Sequence, residues 1–105
     1  MKRAVLLKDI NSLLNNMFPD TIGQVILFGS NAKGKINSYS DYDILVVLKS
    51  KSDWRTEDKI INACYAIDLK YNIITDVKVI SGEELNSPLG MQPYIQQAIQ
   101  HGIAL

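Results

Sequence analysis

Two short groups in this chain have the residue types of phosphate and metal chemistry: Gly29-Ser30 and, after ten intervening residues, Asp41-Tyr42-Asp43. Each is fused to its own apolar run, Val25-Ile26-Leu27-Phe28 before the first and Ile44-Leu45-Val46-Val47-Leu48 after the second. A glycine permits a tight exit from a strand and close approach to its backbone. A serine opening a helical turn offers a hydroxyl and nearby N–H groups to an anion. Side chains alternate along a strand, so Asp41 and Asp43 share one face while Tyr42 and Ile44 take the other. Two adjacent carboxylates repel, and a hard cation such as Mg²⁺ relieves that repulsion, especially when substrate phosphates complete its shell.

These groups need strands to hold them and helices to cover the strands. Leu6, Ile10, Leu13, Leu14 and Met17 recur at helical spacing before Pro19-Asp20, which predicts an amphipathic, core-facing helix from Arg3 to Phe18. A first strand is expected over Val25–Phe28, then a brief helical turn over Ser30–Lys33 and a polar loop that returns Asp41 beside Ser30. Asp43–Leu48 is nearly continuous in apolar character and reads as a strand covered on both faces. Ser52 is placed to cap a long helix carrying Trp54, Ile60, Ile61, Cys64, Ile67 and Tyr71, with Cys64 as a small core residue.

Ile73–Ile80 forms the third expected strand, with Ile74, Asp76, Lys78 and Ile80 on one face. Ser81-Gly82-Glu83-Glu84 has the spacing of a capping box, Pro93 suits the first turn of a last helix, and Gly102 suits its end. Two-metal transfer of a phosphoryl or nucleotidyl group needs carboxylates that hold two cations about 3.5–4 Å apart, which calls for a third carboxylate from a neighbouring strand. Asp76 is the acidic residue inside the third strand, where aspartate is disfavoured without a reason. The alternative is a surface residue with Lys78 as its same-face neighbour. Asp53, Glu57, Asp58 and Asp68 fall on the long helix and read as a solvated face, and His101 reads as a favourable charge at the end of the last helix.

Gly-Ser, ten residues, then Asp-x-Asp at the head of a buried strand resembles the signature of the nucleotidyltransferase superfamily that includes DNA polymerase beta. The resemblance continues through Ala32-Lys33-Gly34, Ser40, and Pro93-Tyr94-Ile95 leading to His101-Gly102-Ile103. In length and layout the chain looks most like the minimal nucleotidyltransferases that act with helical HEPN-type proteins as toxin–antitoxin pairs. The resemblance implies an α/β (α+β) nucleotidyltransferase fold, a small mixed β-sheet flanked by about four helices. It also implies that Gly29 and Ser30 hold the β- and γ-phosphates of a nucleoside triphosphate, ATP by family habit. Asp41 and Asp43 would bind Mg²⁺, Asp76 would complete the acceptor-side metal site, and Lys33 would add a phosphate contact. The family often carries arginine directly after Gly-Ser and again where Lys33 stands. Here Asn31 follows, and a lysine grips phosphate as a point charge without arginine's two-pronged geometry.

A length of 105 residues suits one domain spanning 1–105, with an acceptor site borrowed from a HEPN-type partner or from another copy of the chain in a homo-oligomer. Eleven basic and eleven acidic residues cancel, which removes the overall field that draws proteins non-specifically to nucleic acid. Lys33, Lys35, Lys49 and Lys51 form a local basic edge that either attracts a triphosphate or is a solvated rim. One cysteine excludes an internal disulfide and a zinc cluster and suits a reducing cytoplasm, and no apolar stretch is long enough to span a membrane. The expected activity is Mg²⁺-dependent transfer of a nucleoside monophosphate to a hydroxyl, and the family resemblance implies ATP as donor and a tyrosine of a HEPN toxin as acceptor. Two rivals differ in class: a non-catalytic module that occludes a toxin through the apolar tail Ile103-Ala104-Leu105, and a catalytic subunit that modifies a small molecule such as an antibiotic.

Overall fold

The structure, a computed structural model, describes residues 3–29 and 42–104. The predicted turn after Gly29, and with it Ser30, Lys33 and Asp41, lies outside the described residues. Helix α1 (Arg3–Met17) is followed by strand β1 (Ile22–Phe28), β2 (Tyr42–Leu48), α2 (Trp54–Tyr71), β3 (Thr75–Ser81), α3 (Gly82–Leu85), a 3₁₀ turn (Pro88–Met91), α4 (Pro93–His101) and β4 (Ile103–Ala104). The strands form one mixed sheet in the order β3-β2-β1-β4. β1 runs antiparallel to β2 and β4, and β3 lies parallel to β2 after the α2 crossover.

Alternation along β1 and β2 divides the core in two. Val25, Leu27, Ile44, Val46 and Leu48 pack with Leu6, Ile10 and Leu14 of α1 and Ile60, Cys64 and Ile67 of α2. On the opposite face Ile26, Phe28, Leu45, Val47 and Ile80 pack with Ile95 and Ala98 of α4. Both central strands are thus covered on both sides, as their continuous apolar runs require. Cys64 is fully buried, and that burial, followed by the nearby Asp68 charge, pushes its thiol up to about 11.

Several boundaries differ from expectation for local reasons. β1 starts at Ile22, three residues before the predicted Val25, because exposed Gly23 and Gln24 interrupt the apolar pattern that marks a strand in sequence. Met17, expected in the core stripe, is exposed because it is the last residue of α1. Asp53 rather than Ser52 caps α2, its Oδ1 accepting from the Thr56 N–H at 3.1 Å and the Thr56 hydroxyl at 3.3 Å. Ser52 Oγ is buried with no hydrogen-bond partner among the described residues. Trp54 and Ile61 are exposed, and the inward face of α2 is completed instead by Ala63.

At the other end of α2, Asn72 takes a left-handed φ of 54° and Ile73 donates its N–H to the Asp68 carbonyl, so Ile73 closes the helix instead of opening the strand. The capping box at Ser81 forms in full, with Ser81 Oγ accepting from Glu84 N–H and Glu84 Oε1 accepting from Ser81 N–H, both at 3.1 Å. Gly102 ends α4 in an extended rather than left-handed conformation. A side chain there would meet the Ala98 carbonyl oxygen and Ile26 Cγ2 at 2.4 Å each. That closeness lets the chain turn directly into β4, where Ile103 pairs with Leu27 and Ala104 with Ile26. Ile103-Ala104, which the rival occlusion reading took as part of a toxin-contacting tail, is a strand of the sheet.

Candidate active site

β1 ends at Phe28, and Gly29 leaves it with a φ of +80°, a conformation that side chains other than glycine's disfavour. A Cβ on Gly29 would lie 2.3 Å from Asp43 Oδ2. The absent side chain is thus what allows the backbone to lie against this carboxylate. Asp43 stands second in β2, half-buried, with Phe28 opposite it in β1 and Asp76 opposite it in β3. Residues paired in register point to the same face, and neighbouring strands are about 4.8 Å apart, so Asp43 and Asp76 sit side by side. Further into the same face lie buried Leu45, Val47 and Ile80, so the two carboxylates occupy the rim where the apolar layer under α4 gives out.

The position of Asp76 is set from outside the strand. The Asp68 carboxylate, on α2, accepts from the Thr75 N–H at 3.1 Å and from the Thr75 hydroxyl at 2.7 Å. The Tyr42 N–H donates to the Ile74 carbonyl at 2.9 Å. These bonds fix the first residue of β3 against both α2 and β2, immediately before Asp76. Sequence reading assigned Asp68 to a solvated helix face, and it is instead a clamp on the strand. The one hint was an aspartate shortly before a Thr-Asp pair, which is too common to carry weight alone.

Asp76 is 45% exposed and lies 3.5 Å from the ammonium of Lys78, which is 48% exposed. Two carboxylates are acceptor-only groups that suit a hard divalent cation, and the missing side chain at Gly29 lets one of them, Asp43, lie against the end of β1. Among the described residues no cluster of three or more metal-type side chains forms, and the third carboxylate of the sequence motif, Asp41, lies outside them. Of the expected site residues, the structure brings Gly29, Asp43 and Asp76 together. His101 is exposed at the end of α4. No helix among the described residues is long and apolar enough to cross a membrane.

Residues 7–105 match the family model described as a nucleotidyltransferase domain. A candidate protein adenylyltransferase of Methanocaldococcus jannaschii is 32% identical over 74 residues, covering 70% of this chain and 75% of that protein. A solved candidate minimal nucleotidyltransferase superposes over 100% of this chain and 97% of its own, with a TM-score of 0.67 at 21% identity. A chain from the complex of a tri-AMPylated Shewanella oneidensis HEPN toxin with an MNT antitoxin superposes with a TM-score of 0.61 at 22% identity, over 98% of this chain and 71% of that one. At such identities the likeness to these solved structures is one of fold. With the family model spanning nearly its whole length, the chain belongs to the nucleotidyltransferase family and is a nucleotidyltransferase.

Proposed function

We propose that this protein transfers AMP from ATP to a tyrosine hydroxyl of a helical HEPN-type partner, as the antitoxin of a toxin–antitoxin pair. The observation that carries this reading is the register of Asp43 against Asp76 beside the bare backbone of Gly29. The naming of a relative as a candidate protein adenylyltransferase and the AMPylated HEPN toxin in a structural neighbour support the choice of AMP and of acceptor.

In this reaction the tyrosine oxygen attacks the α-phosphorus of ATP, the bond to pyrophosphate breaks, and the hydroxyl proton passes to Asp76. Gly29 and Ser30 would cradle the β- and γ-phosphates, Lys33 would add a point charge, and Asp41, Asp43 and Asp76 would hold Mg²⁺. When bound, Mg²⁺ supplies positive charge that steadies the leaving phosphates and eases loss of the acceptor proton. Residues 1–105 act as one domain, and the partner brings the acceptor. The lone buried Cys64 suits work in a reducing cytoplasm.

The test is transfer of label from α-labelled ATP to the co-purified partner. Asp43→Asn and Asp76→Asn each keep the side-chain size and remove the charge, and each lowers the transfer rate about a hundredfold or more. Transfer at the parent rate by either variant would exclude the mechanism.

A further inference from the structure

Lys78 has no part in the chemistry above, yet its ammonium lies on a residue assigned to metal binding. Alternation along β3 puts it on the face of Asp76, and the register sets it opposite Leu45, which is fully buried. Its aliphatic stem therefore has an apolar neighbour, while its charged head needs a polar one. β3 is an edge of the sheet among the described residues, so open solvent was available to that head. It lies, still half-exposed, 3.5 Å from Asp76 Oδ1.

We propose that Lys78 is a built-in counterion that competes with the divalent cation for Asp76. This rests on Asp43 and Asp76 being metal ligands. An ammonium and a divalent cation repel when they share a carboxylate, so loading the metal requires Lys78 to withdraw. A pair this long and this exposed is weak and gives way easily. Lys78 therefore offsets part of the Asp76 charge in the bare protein and modestly weakens its hold on free metal. The site fills when a triphosphate adds its own oxygens to the coordination shell.

The experiment is titration of the nucleotide-free full chain with Mn²⁺ alone, following free Mn²⁺ by electron paramagnetic resonance. Lys78→Met tightens Mn²⁺ binding about two- to fivefold, the range expected from losing one weak, exposed charge pair. Lys78→Arg keeps the charge and the parent affinity. Lys59→Met, which removes an exposed charge on α2, also leaves the affinity at the parent value. Asp43→Asn loses saturable binding. If Asp43→Asn loses binding while Lys78→Met binds no more tightly than the parent, or if Lys59→Met tightens it equally, the counterion role is overturned. If the parent shows no saturable binding, or Asp43→Asn leaves it intact, the metal-site reading falls and the role of Lys78 falls with it.

Discussion

Gly29 combines two demands that a single methyl group would violate. Its φ of +80° disfavours any other residue, by about 1–2 kcal/mol, and the space a Cβ would need is taken by the Asp43 carboxylate. Gly29→Ala is therefore expected to lower stability by about that amount and to reduce transfer by more than the lost stability explains, since Asp43 must turn aside. Parallel measurements of thermal unfolding and of AMP transfer separate the two effects. The closeness of Gly29 to Asp43 was legible in sequence because the spacing of the two groups that carry them, flanked by two apolar runs, is specific when taken together. Asp68 was not, since an acidic residue on a helix looks the same whether it meets water or the N–H of Thr75.

Helix ends and helix contacts set the positions of these residues. Asp53 satisfies the first turn of α2, so Asp53→Ala costs about 1 kcal/mol, whereas Ser52→Ala removes a hydroxyl with no described partner and stays within about 0.5 kcal/mol of the parent. Urea denaturation distinguishes these outcomes. Sequence favoured Ser52 because serine and aspartate are comparable caps and stand side by side, and only the backbone decides which of them opens the helix.

Between α1 and α2, Asp9 accepts from Lys70 at 2.8 Å and from the Tyr71 hydroxyl. The Lys70 hydrogen bond, with that of Tyr71, holds the Asp9 carboxyl below its usual 3.8, while Asp9 raises Lys70 and Tyr71 above their usual values. A lowered carboxyl stabilises the fold above its unfolded value, and that contribution is lost as pH falls through the folded value. The raised Lys70 and Tyr71 stabilise below their unfolded values and lose that contribution as pH rises through their folded ones. Asp9→Asn should accordingly be destabilising relative to the parent near neutrality. The difference should shrink both in acid below 3.8 and in strong alkali above 10, as followed by melting temperature across pH.

Across the whole molecule, two unequal apolar layers support one sheet. The larger, under α1 and α2, holds most of the buried side chains, and the smaller, under α4, lies beneath the carboxylate rim. Ile95, fully buried, anchors α4 to the smaller layer, so Ile95→Ala should cost about 2–5 kcal/mol in unfolding experiments. The α4 helix was legible from Pro93 at its first turn and Gly102 at its end. β4 was not, because two residues are too few to show alternation, and Ile103-Ala104 becomes a strand only through the edge that β1 offers.

The pairing of β3 with β2 has a consequence for how such a protein can fail. Sliding the third strand by a single residue would bring Val77 opposite Asp43 and rotate Asp76 to the reverse side, against the layer of α1 and α2. A chain misaligned in this way would keep its helices and much of its compactness yet possess no paired acids. Loss of the Asp68 tether could thus silence the protein while leaving it folded.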